Sequence, residues 1–357
     1  MASVLWIDEP GASTELVGGK VSSLAEMTAA GFTVPPGFGV TTEAFAEFAA
    51  AAGLPERIAA IRSQLDTADV AAVERASAEI AALIEAAALP EALESDIRAA
   101  YARLEERAGA EVPVAVRSSG VNEDLEGASF AGQYDTYLWI CGANDVLRNV
   151  RRCWSGLFNS ALLTYRPDGV DAVAADELPG MGVGVQQMAR SRSAGVMFTL
   201  DPVSGDRSKI IIESCWGLGE GVVKGDVAPD RHRIDKVTLE VLEREVNEQL
   251  EEYRFDPDSG AVGLLAVEEQ RRGEGSISEA EALAIAELGK QVERHRGAPQ
   301  DIEWAIDGDG TLHLLQARPE TVWAARHAAG VEGGEGSGKA VDRVLSTFLA
   351  AGGHGRK

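Results

Sequence analysis

Four short stretches of the chain place residue types that do chemistry at spacings that bring them together. Gly18-Gly19-Lys20 stands just before a helical stretch. The glycines let backbone approach a ligand closely, and a lysine at a helix start offers a mobile positive charge to phosphate. A turn carrying a surface lysine accounts for the same residues. Val114-Ala115-Val116-Arg117-Ser118-Ser119-Gly120 ends an apolar strand in an arginine and two hydroxyls. An inward arginine at a strand end is costly unless it meets an anion, either a ligand or a buried carboxylate. The long polar loop that follows, NEDLEGASFAGQYDT, could close over such a ligand and exclude water. Asp301-Ile302-Glu303-Trp304 and Leu314-Leu315-Gln316-Ala317-Arg318-Pro319 read as two strands joined by Asp307-Gly308-Asp309-Gly310, a hairpin signature. On it Glu303 and Gln316 can share a face. Two such oxygen ligands plus phosphate oxygens suit Mg²⁺, and Arg318, on the same face, could reach a transferring phosphate. A surface hairpin with a salt bridge is the plainer alternative.

Two glycine-rich runs are weaker signals. Residues 333–340, GGEGSGKA, approach the P-loop pattern, but Ala340 replaces the Mg²⁺-binding hydroxyl and no hydrophobic strand feeds the loop. They read as a flexible linker. GLGEG (217–221) has Val222 at the third glycine position, and no helix is evident after it.

The elements that must hold these residues read as mixed α and β. VLWI (4–7) is a strand, and Leu24, Met27 and Ala30 recur at helical spacing until Gly31 stops the helix. Thr41 or Thr42 caps the next one. Residues 55–108 form amphipathic helices, with Val73, Ile80, Leu83 and Ile84 on one face and Leu93, Ile97, Tyr101 and Leu104 on another. PVAVRSS, TYLWI, MGVGVQQM, AGVMFTL, KIIIESC and LHLLQAR are strands bounded by Gly, Pro or Asp. In the helix EAEALAIAELGKQVERHRG, Leu283, Ala286, Leu288 and Val292 line one side and Gly297 ends it. After Val322 come a Gly-rich linker and one short amphipathic helix, AVDRVLSTFLA.

The length of 357 residues suits two or three domains. Lys and Arg number 33 against 57 Asp and Glu, a formal charge of −24. Such a surface repels phosphate backbones and anionic bilayers, which argues against nucleic-acid and membrane partners. No apolar run approaches the ~18–20 residues of a membrane span, and MASVLWIDEP lacks the basic and apolar regions of a secretory signal. Three scattered cysteines, Cys141, Cys153 and Cys215, exclude a disulfide framework and a zinc knuckle and suggest a reducing cytoplasm.

Six blocks, in order from about residue 13 to 321, carry a resemblance: GGKVSSLAEMTAAGFTVPPGF, VAVRSSGVNEDLEGASFAGQYDT, VGVQQM, AGVMFTLDPVSGD, IIIESCWGLGEGVV and DIEWAIDGDGTLHLLQARPET. Together they resemble the N-terminal nucleotide-binding domain of phosphoenolpyruvate synthase and pyruvate phosphate dikinase; rifampin phosphotransferase has a similar domain. The resemblance implies an α+β, two-lobed ATP-grasp-like fold with ATP clamped between the lobes. The expected division is an N-terminal lobe over 1–180 with a helical insertion at about 55–108, a C-terminal lobe over 181–322, and the tail 323–357. By the same resemblance Lys20 and Arg117 bind ATP phosphates, Thr136 lies at the phosphate-covering loop, and Gln186 lies near adenine and ribose. Glu303 and Gln316 hold Mg²⁺, and Arg318 stabilises the transferred group. Gln187 stands where many relatives carry Lys or Arg.

Complete family enzymes add a mobile domain with a phosphorylatable histidine in a TSHAA-like motif, and a substrate domain. None of the five histidines, His232, His295, His313, His327 and His354, has that context. The expectation is therefore the ATP- and Mg²⁺-binding subunit of an AMP-forming phosphotransferase. As in phenylphosphate synthase, a separate partner subunit would bear the histidine and the acceptor site, the acceptor being a phenol-like compound or pyruvate. The alternatives are a nucleotide domain excised from a single-chain enzyme and a non-catalytic ATP-sensing module.

Overall fold

A computed structural model describes residues 2–121, 135–164, 178, 180–321 and 323. Most of the loop after Gly120, the glycine-rich run 333–340 and the expected tail helix lie outside the described residues. The chain divides into two units. The first comprises Met1–Ala29 and Pro36–Met188, the second Ala30–Pro35 and Ala189–Lys357. The boundary follows Met188 rather than residue 180, because the strand over 181–187 belongs to the first sheet.

The first unit runs β1 (Val4–Trp6), α1 (Thr14–Ala29), β2 (Gly37–Val40), α2 (Thr42–Ala51), α3 (Leu54–Ser63), α4 (Val70–Ala86), α5 (Glu91–Ala108), β3 (Val114–Gly120), β4 (Thr136–Ile140), α6 (Ala143–Ser155), α7 (Ser160–Thr164) and β5 (Met181–Gln187). Its sheet has the order β1-β2-β5-β3-β4, antiparallel throughout. The two sheet faces follow directly from a period of two in the sequence. Phe38 and Val40 on β2, Val183 and Val185 on β5, and Val114 and Val116 on β3 join one core with α2 to α6. There the Phe48 ring stacks on Trp154 at 5.0 Å. Several alternate positions are small: Gly39 pairs with Gly184, and Gly182 with Ser119.

Helix α1 lies on that small-residue face. A Cβ on Gly39 would sit 2.8 Å from Val21 Cγ1, and one on Gly182 would strike the Val17 carbonyl. Gly18 is the tightest point. Its φ of 74° breaks the helix, and a Cβ there would collide with the Ser119 carbonyl. Of the two threonines, Thr41 is the cap of α2; its hydroxyl accepts from Ala44 N at 3.2 Å. The faces expected for α4 and α5 are the buried ones, with Leu83 only partly covered.

The second unit runs β6 (Ser191–Phe198), β7 (Lys209–Trp216), α8 (Glu220–Lys224), β8 (Asp230–Asp235), β9 (Val241–Glu245), β10 (Glu251–Asp256), β11 (Ala261–Ala266), α9 (Glu279–Arg296), β12 (Gln300–Asp307) and β13 (Leu312–Pro319). A six-stranded sheet has the order β13-β12-β6-β7-β8-β9, and β10 and β11 make a separate ribbon. Helix α9 starts at a capping box between Ser278 and Glu281 and stops at Gly297, φ 73°. The buried side of α9 is Ala282, Ile285, Ala286, Gly289 and Val292; Leu283 and Leu288, expected to line it, flank it instead. Close approach decides this, since a Cβ on Gly289 would already lie 2.6 Å from Met197 Sδ. A short helix, α8, begins within GLGEG, at Glu220. Among the described residues no helix is long and apolar enough to cross a membrane, and all three cysteines are free.

Gly18→Ala should lower the unfolding free energy by about 2 kcal/mol or more, combining left-handed strain with a backbone collision. Gly53, at φ 58° with nothing within 4 Å of a would-be Cβ, bears the strain alone, so Gly53→Ala should cost about 1 kcal/mol. Denaturant unfolding of the two variants checks the order; equal losses would show that the α1–β3 contact is not tight.

Candidate functional site

In the first unit, four of the expected residues share the α1 face of the sheet. Because α1 sits so close, Lys20 Nζ donates to the Ser118 carbonyl at 3.1 Å and Val21 N donates to Ser119 Oγ at 3.2 Å. The break at Gly18 makes Gly19 and Lys20 the first turn of a new helical segment, whose N–H groups and dipole favour an anion. Arg117 pairs with Gly184 on one side and Thr136 on the other, and Ala115 pairs with Gln186. Ala115, Arg117 and Ser119 alternate with Val114, Val116 and Ser118, so Arg117 is on the face opposite the core. Directly opposed partners share a face, which places Thr136 and Gln186 with it. Thr136 is exposed and Gln186 is buried.

In the second unit, the expected hairpin forms, with Gly310 N donating to the Asp307 carbonyl at 3.0 Å in its turn. Glu303 stands directly opposite Gln316, but the next rung pairs Trp304 with Leu314. The register therefore slips by one residue at Leu315, a bulge. Its effect is specific. Leu314 turns inward with buried Trp304, while Leu315 packs on Ala189, Ala194 and Ala305. Gln316 and Arg318 are delivered to the face of Glu303.

Arg318 has a partner that the sequence reading did not assign. Its Nε and Nη2 donate to Asp301 Oδ2 at 2.8 and 2.7 Å, with Asp301 on the opposing rung. The side chains are 20% and 10% exposed, so this is a largely buried pair rather than a surface one. It fixes the plane of the guanidinium while the chain keeps a carboxylate, an amide oxygen and a cation on one face, two rungs apart. Asp301 was visible two residues before Glu303, at the spacing that shares its face; the cross-strand register, and not residue type, reveals its role.

Carboxylate and amide oxygens are hard donors that fit Mg²⁺, which takes one or two protein ligands and fills its shell with phosphate oxygens and water. Among the described residues no group of three or more His, Cys, Asp or Glu could hold a metal. The donor set thus fits an ion carried in with a phosphate ligand.

The family model for the pyruvate phosphate dikinase AMP/ATP-binding domain matches residues 14–335. The chain belongs to this family. Its relatives include probable phosphoenolpyruvate synthases of Staphylothermus marinus, 38% identical over 90% of this chain and 42% of that protein, and of Methanothermobacter thermautotrophicus, 41% identical over 86% and 44%. A rifampicin phosphotransferase of a Streptomyces species is 38% identical over 85% of this chain and 34% of its own length. The chain thus spans less than half the length of these relatives. Among solved structures, D-cycloserine synthetase DcsG aligns over 72% of this chain and 59% of its own at 12% identity and a TM-score of 0.24, too distant to support an argument.

A double-mutant cycle on Asp301→Ala and Arg318→Ala should return a coupling of about 1–3 kcal/mol in unfolding free energy, with each single variant less stable than the wild type. Additive losses would show the pair is not coupled in solution.

Proposed function

We propose that this chain binds ATP with Mg²⁺ and passes the β-phosphoryl group of ATP to a histidine on a separate subunit, forming AMP and phosphate. The acceptor beyond that histidine would be a phenol-like compound or pyruvate, and the setting cytoplasmic. The observation that carries the reading is the opposition of Glu303 and Gln316 with Arg318 two rungs on, on the same face, in a member of an AMP/ATP-binding family. In this reading Lys20 and Arg117 neutralise and orient the polyphosphate, Thr136 contributes to its cover, and Gln186 lies by the adenosine. Glu303 and Gln316 hold the metal, which supplies charge neutralisation at the phosphates. Arg318, oriented by Asp301, stabilises charge on the group in transfer.

The described histidines support an acceptor elsewhere. His232 is fully buried, and burial with Arg244 nearby lowers its pKa. His313 Nε2 is engaged by Asp307 Oδ2 at 2.9 Å, and the His295 ring meets Phe32 edge-on. The greater length of the relatives favours a second reading, in which the acceptor histidine sits on further polypeptide continuous with this chain.

With β-³²P-ATP and Mg²⁺, the chain alone should form little AMP and retain no stable label. Adding a histidine-bearing partner should release AMP and phosphate and move label to that partner. Lys20→Met and Arg117→Ala should each slow transfer by about 10²-fold or more, the scale of removing one preorganised charged donor. Rapid AMP formation by the chain alone, or label on its own histidines, would overturn the separate-subunit reading. ATP binding with no AMP under any partner would leave a sensing module.

A further inference from the structure

The second unit takes in a segment from far up the chain, Ala30–Pro35, between α1 and β2. It reaches β13, the end strand of the six-stranded sheet, whose one strand neighbour among the described residues is β12. An end strand leaves a row of N–H and C=O groups without a ladder partner. Two backbone groups of β13 are met from outside the sheet. The Leu314 N–H donates to the Thr33 carbonyl at 2.9 Å. The Ala317 carbonyl accepts from Arg296 Nη1 at 2.9 Å. These contacts bracket Leu315 and Gln316, the residues at which the register slips.

The two contacts share a base in the last turn of α9. His295, the residue before Arg296, meets the Phe32 ring edge-on, with centroids 6.4 Å apart and planes at 76°. Phe32 thus seats the segment on the same turn that holds Ala317. The segment is also stiff. Gly31, at φ 88°, turns the chain out of α1. Pro35 and Pro36 fix their own φ, and Pro35 holds Val34 extended. Pro35 is buried, and Phe32 and Val34 are half-buried. A bulged strand at a sheet edge needs such support, because a slip of one residue would turn Gln316 away from Glu303.

We infer that Phe32–Pro35 is a positioning strap for the hairpin donors. By holding Leu314 directly, and by bearing on the α9 turn that holds Ala317, it locks the bulge and keeps Gln316 opposed to Glu303. The affinity of that pair for a phosphate-bound divalent ion then depends on Phe32, a residue of the strap and not of the hairpin. The inference rests on the reading that the chain binds ATP with Mg²⁺.

The test compares the full chain as wild type, Phe32→Ala, Phe32→Leu and Phe32→Tyr. It reads hydrogen exchange at the Leu314 amide and, by titration calorimetry, the gain in ATP affinity that Mg²⁺ brings. In the wild type Leu314 should be protected and Mg²⁺ should tighten ATP binding by about tenfold. Phe32→Ala should speed Leu314 exchange by about tenfold and cut the Mg²⁺ gain to about threefold or less, with metal-free ATP binding unchanged. Phe32→Tyr, which keeps the ring edge, should match the wild type. Phe32→Leu, which keeps apolar bulk without the ring, should fall between and carries the test if the alanine variant does not fold. An unprotected Leu314 in the wild type, a Leu314 still protected in folded Phe32→Ala, or fast exchange with an undiminished Mg²⁺ gain overturns the strap alone. An equal loss of ATP affinity with and without Mg²⁺ marks a general packing role and overturns it as well. Wild type that binds ATP with no gain from Mg²⁺ overturns the metal reading and the strap with it.

Discussion

Leu314 and Gln316 are two residues apart on β13, and a regular strand would send both to one face. The slip at Leu315 prevents this. It keeps Leu314 against Trp304 in the core and turns Gln316 to Glu303, with Arg318 and Asp301 two rungs beyond on the same face. Without the bulge, either Leu314 would be expelled or Gln316 and Arg318 would be buried away from the only carboxylates placed to meet them on these strands. The cost of one irregular rung is small against the burial of an uncompensated amide and guanidinium. The placement of the hairpin's carboxylate, amide and guanidinium on one face follows from this point.

The first unit solves its positioning problem with small residues. A phosphate-binding lysine on a helix is useful only if that helix lies close to the strand bearing the arginine. The alternation of glycine with Phe38 and Val40, and with Val183 and Val185, makes one face of the sheet apolar and the other nearly flat. Helix α1 descends onto the flat face until Gly18 touches Ser119, and Lys20 is then held at the end of β3. The same pattern thus builds the core on one side and admits the helix on the other.

Much of this was legible in the residues, and the failures have physical causes. GFGV and MGVGVQQ announce strands because their period of two is hydrophobic. DRHRID has the same period, but its inward residues are Asp230, His232 and Ile234, so β8 hid among its charges. Strands β9 and β10 hide in the same way, carrying Glu and Arg along exposed edges. On α9 the large leucines suggested the buried face, whereas contact with the sheet selects the smaller Ala282, Ala286 and Gly289. Lys20, Arg117, Glu303, Gln316 and Arg318 stood out by residue type and spacing. Thr136 and Gln186 came only from the family resemblance, since nothing in a lone threonine or glutamine marks it. Asp301 acquires meaning only through cross-strand register, which no local window contains.

The central claim is that the hairpin donors hold a divalent ion together with ATP. The most direct measurement is titration calorimetry of ATP into the chain with and without Mg²⁺, for the wild type and Glu303→Gln. Mg²⁺ should tighten binding to the wild type by about tenfold or more, through one added charged ligand. That gain should vanish in Glu303→Gln while metal-free binding stays the same. An equal Mg²⁺ gain in both proteins would contradict the account.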